Sequence, residues 1–236
     1  MRGKRNSVRS FVILLALVAG VSAVPAGADV CPTSGMSLAY KAPFNSTAAT
    51  LDSTSTYQGQ MVARGTYDIP QGTLQIFHGG SLYTSSVTAR DDYDVVGVAP
   101  GTPVTVTVQI TFDGTIATPG CGSSGCWGYL RATIRWQTTH ADDVQQKNTI
   151  ADTFTTESVH GQVSLPVTIV AGQPERIEFE LAGYRSPGGN QIENGTGTIR
   201  FVGLDPSLRI VSCQGYGAGV VPARPKTWGS LKLLYR

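Results

Sequence analysis

Two glutamates separated by a single residue are the first candidates for chemistry in this sequence. Glu178 and Glu180 alternate with apolar residues, so both side chains point to one face of a predicted strand. The strand rise places them about 7 Å apart, a separation that the two carboxylates of a glycosidase can have. Surface glutamates on any alternating strand share this spacing, so a solvated strand face is the favoured interpretation and a secreted carbohydrate-active hydrolase is the alternative.

Three aspartates form a second acidic group. Asp91, Asp92 and Asp94 precede an apolar run at a predicted junction between a loop and a strand. Carboxylate oxygens are ligands that calcium prefers, which makes a calcium-stabilised adhesion module a second alternative. Polar residues are ordinary in loops, and a solubilising loop is favoured over an ion site.

A predicted strand from Trp127 to Trp136 carries the best candidate for ligand binding. Its alternation groups Trp127 and Tyr129 with Arg131 and Arg135 on the face that points away from the core. Two aromatic rings and two guanidinium groups could stack on sugar rings or hold an anionic group. Trp127 follows Cys126 directly, so a ring that covers a disulfide is the alternative.

Signatures of catalysis are scarce. The three histidines, His78, His140 and His160, lack the i, i+4 spacing of a zinc protease. The segment at residues 122–125 (GSSG) does not meet the frame of a nucleophile elbow. We therefore predict no catalytic set and no cofactor.

The four cysteines of the chain are Cys31, Cys121, Cys126 and Cys213, which allow three pairings. A local Cys121–Cys126 bridge would close a hairpin end and leave Cys31 to pair with Cys213. A four-cysteine zinc site is the alternative, but the paired short spacings of zinc ribbons are missing.

Period-two alternation dominates the chain and predicts the elements that position these residues. The clearest case is residues 104–112, where Val and Ile alternate with Thr and Gln. Further strands are predicted at residues 130–136, 163–169, 177–181 and 199–201, and weaker ones at residues 36–42, 60–69, 73–78 and 82–89. Pro166 inside its run indicates an edge strand or a bulge, because proline cannot donate to the ladder.

Turns are predicted at Gly and Pro pairs, among them Asp113-Gly114 and Asn194-Gly195, and a polar loop is predicted at residues 141–148. Many short strands with such turns and no long helical pattern indicate an all-β fold, an antiparallel β-sandwich or jelly roll.

The first 28 residues are predicted to be a cleaved signal peptide, with a basic start, an apolar run of 14 residues and a small-x-small end. That run is short of the roughly 20 residues that a spanning helix needs. Cleavage removes four of the 18 basic residues and no acid, leaving 14 against 16 acids, or about −2. Nucleic acid is therefore excluded as a main partner, and a secreted or cell-surface location is predicted.

Residues 197–206 (GTIRFVGLDP) and 211–216 (VSCQGY) resemble a segment common in exported bacterial β-sandwich proteins of unassigned function, many with a C-terminal PEP-CTERM sorting signal. Residues 63–74 and 98–114 are similar to upstream parts of that group. One sandwich domain is predicted at residues 29–219, because the sequence shows no internal repeat and no linker long enough to divide it. Residues 220–236 depart from the PEP-CTERM pattern, since no apolar span follows; this tail can form a short amphipathic helix that docks on the sandwich or serves in sorting.

Taken together, these patterns predict a secreted, non-enzymatic protein that is structural, surface-associated or polysaccharide-binding. Its partner would be a polysaccharide or another component of the cell envelope.

Overall fold

Thirteen strands account for most of the residues that the structure, a computed structural model, describes: 31–80, 84–118, 126–136, 139–149, 155–185 and 191–217. In chain order they are β1 (Ser34–Ser37), β2 (Phe44–Ser46), β3 (Thr50–Tyr57), β4 (Gln60–Asp68), β5 (Thr73–Gly80), β6 (Ser85–Val96), β7 (Pro103–Thr118), β8 (Cys126–Trp136), β9 (Thr139–Thr149), β10 (Thr155–Val170), β11 (Glu175–Arg185), β12 (Gln191–Val202) and β13 (Arg209–Ser212). Within these ranges no helix is long and apolar enough to cross a membrane.

The strands form two antiparallel sheets that pack face to face. One sheet has the order β2-β1-β6-β11-β8-β9, and the other has the order β10-β7-β12-β5-β4-β3. The seventh strand of the first sheet, β13, also pairs with β6, at residues 93–96, whereas β1 pairs with β6 at residues 86–88. The predicted β-sandwich is therefore confirmed.

Alternation along the strands builds the core between the sheets. In β7 the side chains of Val106, Val108, Ile110 and Phe112 are buried, while the threonines between them lie on the outer face. Strand β11 contributes Ile177, Phe179 and Leu181 from the opposite sheet, each fully buried. Burial of this apolar surface is the main force that holds the two sheets together.

Pro166 lies in β10, which among the described strands pairs with β7 alone and is an edge of its sheet. The prediction of an edge strand is confirmed, since a proline on an edge strand leaves no ladder hydrogen bond unmade when its nitrogen faces outward.

The polar loop predicted at residues 141–148 is wrong, because these residues belong to β9. This strand pairs with β8 along its whole length, from Trp136 opposite Thr139 to Cys126 opposite Thr149, and is an edge of its sheet. Backbone hydrogen bonds to one neighbour suffice to form an edge strand, so its sequence does not need to show apolar alternation.

Two predicted glycine turns are also wrong. Gly114 lies within β7 and Gly195 within β12, directly opposite each other. A Cβ atom on Gly114 would lie 2.4 Å from Cδ1 of Leu130 and 2.3 Å from the carbonyl oxygen of Asn194. These glycines serve the close approach of Leu130 from the other sheet rather than a change of chain direction.

Several predictions fall outside the described residues. They are the signal peptide at residues 1–28, the tail at residues 220–236, and the bridge between Cys121 and Cys126.

Candidate functional site

The two predicted glutamates lie in a charged ladder on the outer face of the seven-stranded sheet. Glu178 stands opposite Arg90 of β6 on one side and Arg135 of β8 on the other, and it forms an ion pair with each. Arg135 also donates from Nη2 to Oε2 of Glu180 at 2.8 Å, and Arg131 Nη2 lies 3.7 Å from that oxygen. The register of three neighbouring strands thus places each acid between cations.

This surrounding controls the charge of Glu178. Partial burial acts to raise the pKa of its carboxyl, but the hydrogen bonds from Arg90 and Arg135 outweigh it and hold the pKa below its ordinary value. A glycosidase needs one carboxyl that stays protonated to act as an acid. Glu178 is instead held ionised, so this geometry favours a structural ladder over an acid catalyst.

The structure describes three of the four side chains of the platform predicted from Trp127, Tyr129, Arg131 and Arg135. Arg131 and Arg135 lie together as expected, but both pair with the glutamates of β11. Tyr129 is half-buried, and the side chain of Trp127 lies outside the described part of the structure. An anion that bound here would compete with carboxylates already in place.

The three aspartates lie inside β6 rather than in a loop, so the predicted loop–strand junction is wrong. Asp92 points outward and pairs with Nε of Arg176 at 2.9 Å, whereas Asp91 points into the sandwich. Asp94 accepts hydrogen bonds from the backbone nitrogens of Val95 and Gly172. Asp91 faces the opposite side of the strand from Asp92 and Asp94, so the three carboxylates do not converge on one ion.

The disulfide between Cys31 and Cys213 is confirmed, with a Cα–Cα distance of 5.6 Å, and it ties the segment before β1 to the end of β13. Beside it lies Asp91, and a carboxylate oxygen and both sulfur atoms are within 4.8 Å of one another. Because the sulfurs are bonded to each other, this group is a disulfide with an adjacent acid rather than a set of metal ligands.

Asp91 is fully buried and accepts hydrogen bonds from the backbone nitrogens of Asp92 and Gln214, both at 2.9 Å. Burial raises the pKa of this carboxyl to about 6, and the hydrogen bonds, the largest from the Ser212 hydroxyl, only partly offset that effect. Sequence reasoning missed this role. The signal was available, since Asp91 has the same strand parity as Ala89 and Tyr93.

An exposed aromatic pair lies at the tip of the β3–β4 hairpin, where sequence reasoning proposed no site. The rings of Tyr40 and Tyr57 stack with centroids 4.6 Å apart and planes 20° from parallel. Tyr40 is 40% exposed and Tyr57 is 49% exposed. We call Tyr40 and Tyr57 the tyrosine patch.

Local structure holds the tyrosine patch in place. Gln58 and Gly59 both have positive φ, of 50° and 78°, as a two-residue type I′ turn requires. The Ser55 hydroxyl donates to the carbonyl of Ala39, and Lys41 Nζ donates to Ser53 Oγ at 2.5 Å. The chain before and after Tyr40 is therefore bound to β3, which fixes one ring against the other.

A buried polar cluster lies between the sheets. His78 Nδ1 is 2.9 Å from Ser85 Oγ, which accepts from the backbone nitrogen of Ala39 at 3.1 Å, and Glu193 stands opposite His78 in the β5–β12 ladder. His78, Ser85 and Glu193 are all 0% exposed. Because no solvent reaches them, these residues tie the two sheets together rather than meet a substrate.

No protein-family model matches the chain, and neither does any curated protein sequence. Among solved structures, an arabinose-bound α-L-arabinofuranosidase is similar over 68% of this chain and 24% of its own, at 14% identity and a TM-score of 0.26. A Clostridium thermocellum endo-1,4-β-D-xylanase, solved as CBM22-1 and GH10 modules with xylohexaose, is similar over 66% and 25%, at 11% identity and a TM-score of 0.23.

The chain thus spans about a quarter of the length of these two enzymes. Similarities this low carry no argument about function. None of the comparisons bears on the resemblance to PEP-CTERM-type proteins, which stays a prediction.

Proposed function

We propose that this protein is an exported, non-catalytic β-sandwich that binds a polysaccharide of the cell surface. The observation that supports the proposal best is the tyrosine patch. Contiguous aromatic surface that a soluble protein exposes to solvent often marks a place where a partner binds. Tyrosine suits that role because its ring is a rigid apolar plane and its hydroxyl remains available for hydrogen bonds.

Sugar rings match such a surface. The axial C–H groups of a pyranose form an apolar face that can lie on an aromatic ring, while its hydroxyls point sideways to polar groups. The stack uses one face of each ring, and the two tyrosines are 40% and 49% exposed. The platform around Tyr129 is the second surface at which a glycan could bind.

Export is part of the same proposal. A disulfide between residues 182 positions apart is compatible with an oxidising compartment outside the cytosol. The predicted signal peptide would deliver the chain there.

The experiment is affinity electrophoresis of the chain in gels that contain soluble polysaccharides, one per gel, to compare the wild type with variants. Tyr40→Asn and Tyr57→Thr together remove both rings while asparagine tolerates the positive φ of 60° at position 40. We expect the pair to weaken binding about tenfold or more, since stacked aromatic anchors dominate such contacts.

The matched control is Val202→Ser, which removes an exposed apolar side chain, 36% exposed, elsewhere on the sandwich. It should bind as the wild type does. Binding that survives loss of both tyrosines but disappears in Tyr129→Ala would move the site to the other sheet, and binding of no polysaccharide would refute the proposed function.

A further inference from the structure

The Cys31–Cys213 disulfide lies beside a fully buried acid. Cys31 is half-buried, whereas Asp91, which lies against the bond, is fully buried. A carboxylate oxygen and the two sulfurs are within 4.8 Å of one another. One proton could therefore pass between the carboxyl and a sulfur atom after a small movement.

Backbone hydrogen bonds hold Asp91 on the Cys213 side of the bond. Gln214, the residue after Cys213, donates its backbone N–H to Oδ2 of Asp91 at 2.9 Å. The backbone nitrogen of Cys213 donates to the carbonyl oxygen of Asp92 at 3.0 Å. The Asp91 carboxyl of β6 and Cys213 at the end of β13 are thus held next to each other.

The charge of Asp91 changes between pH 5 and pH 7. Burial raises the pKa of its carboxyl to about 6, so the group is mostly protonated at pH 5 and mostly ionised at pH 7. A protonated acid can give its proton to a departing thiolate. An ionised one cannot, and its charge also opposes a second negative charge beside it.

Other groups around Asp91 keep one charge across this range. Arg176 of β11 interacts with it electrostatically and stays cationic while paired with Asp92. Burial raises the pKa of Tyr93 well above its ordinary value and raises that of Tyr216 as well, so both phenols stay neutral. Ser212 contributes a hydroxyl without charge.

We propose that this cluster is a thiol–disulfide exchange site, at which a dithiol reductant opens the Cys31–Cys213 bond and Asp91 donates a proton to the departing Cys213 sulfur. The reductant is a dithiol that reaches the chain from solvent. This proposal is independent of polysaccharide binding.

The exchange balances in two steps. A thiolate of the reductant attacks Sγ of Cys31, the S–S bond breaks, and its electron pair goes to Sγ of Cys213, which takes the proton of Asp91. The second thiol of the reductant then loses its proton and attacks the mixed disulfide, and Cys31 leaves and takes up a proton. The reductant is oxidised to a cyclic disulfide, both cysteines become thiols, and Asp91 regains a proton from water.

Opening the bond changes what holds the start of the sandwich. The segment before β1 would keep hydrogen bonds such as the one from Gln214 Nε2 to the carbonyl of Pro32, at 2.8 Å, but lose its covalent link to β13. Reduction would therefore loosen the amino-terminal segment without breaking a strand pair.

The test measures the rate of reduction of Cys31–Cys213 between pH 5 and pH 8 with dithiothreitol, dividing each rate by the thiolate concentration. Alkylation stops the reaction and labels the free thiols, and peptide mass spectrometry then measures the labelled fraction of Cys31 and Cys213 separately from that of Cys121 and Cys126. In the wild type the corrected rate should fall about tenfold from pH 5 to pH 7, following the protonated fraction of an acid with a pKa near 6. In Asp91→Asn it should be independent of pH.

Two controls separate the alternatives. Glu178→Gln changes a carboxylate of the neighbouring strand that faces solvent, and it should keep the wild-type profile. A neutral water-soluble phosphine replaces the thiolate in a second series with the wild type, which needs no variant to fold. If the rate with the phosphine also falls above pH 6, proton donation to Cys213 is supported, because a neutral reagent is not repelled by Asp91.

A corrected rate that does not change with pH in the wild type would overturn the proposal. So would a fall with dithiothreitol that is absent with the phosphine, since it would show repulsion of the reagent rather than proton transfer. The same profile in Asp91→Asn and the wild type would assign the pH dependence to another group.

Discussion

Glu178 and Asp91 belong to neighbouring rungs of one ladder, yet their environments are opposite. In the register of β6 with β11, Glu178 stands opposite Arg90, and the next rung places Asp91 opposite Ile177. Glu178 points outward between arginines that lower its pKa, while Asp91 points inward, where burial raises its pKa to about 6. A shift of one residue along a strand thus decides whether a carboxylate is an ion-pair partner or a buried acid.

The comparison separates two ways in which a charge is accommodated in a sheet protein. On the outer face, water and cations solvate the carboxylate, and the ion pairs add modest stability. On the inner face, backbone N–H groups replace water only in part, so the neutral form of the acid is favoured. Four substitutions test the contrast.

The largest expected effect is the loss of a pH dependence in Asp91→Asn. The folded state holds its proton more tightly than the unfolded state, whose carboxyl titrates near 3.8, so stability from this group falls as pH rises from about 4 to about 6. The difference in unfolding free energy between wild type and variant should therefore shrink by about 2 kcal/mol from pH 4 to pH 7. Urea denaturation with the disulfide intact measures it, and parallel stability curves would contradict the prediction.

Glu178→Gln should show the opposite sign. The lowered pKa of Glu178 means that its ion pairs stabilise the fold above its ordinary value of 4.5 and are lost as pH falls through the folded pKa. We expect the variant to lose about 1.5 kcal/mol at pH 7 and progressively less below pH 4.5, because two charge-assisted hydrogen bonds are weakened. Urea denaturation of the variant and the wild type at pH 7 and pH 4 measures this loss of stability. A loss that grows on acidification would contradict the prediction.

Ser212→Ala tests how a hydroxyl next to the buried Asp91 affects stability. The Ser212 hydroxyl lowers the pKa of Asp91, so it interacts more strongly with the ionised carboxylate, and it also accepts from the backbone nitrogen of Tyr216 at 2.9 Å. We expect a loss of about 1 kcal/mol at pH 7 and a smaller loss at pH 4. The same denaturation series measures both values, and equal losses would show that the hydroxyl does not sense the charge of Asp91.

The smallest effect is expected for Asp52→Asn. Asp52 pairs with Arg64 on the outer face of the other sheet, and the two side chains are 51% and 50% exposed. Solvent screens such a pair, so the melting temperature should be unchanged within about 2 °C between the variant and the wild type. A clear fall in melting temperature would mean that exposed pairs matter here as much as the ladder around Glu178.

The prediction from sequence was strongest where one face of a strand is buried. Residues 104–112 show alternation because every second side chain enters the core, and β7 contains them as predicted. The prediction from sequence was wrong at β9, a polar edge strand that was predicted to be a loop. It was also wrong at Gly114 and Gly195, which were predicted to be turn residues. Local composition cannot distinguish a glycine that turns the chain from one that makes room for Leu130.

Prediction of the site followed the same division. Parity placed Glu178 and Glu180 on one face and Arg131 with Arg135 on another strand, but pairing partners were needed to show that these groups neutralise each other. The tyrosine patch was missed because Tyr40 and Tyr57 come from different segments. Only the folded chain brings their rings together.

The sequence by itself determined the class of fold, since burial of one strand face is written in the local alternation of residues. It left three cysteine pairings open and left Pro166 either on an edge strand or at a bulge, and the structure decided both. The tertiary structure alone decided which charges meet, because register between distant strands sets those distances. It also decided that Asp91 lies beside the disulfide while Glu178 faces solvent. The energy of a carboxylate depends on what surrounds it, and those surroundings come from strands far apart in the chain.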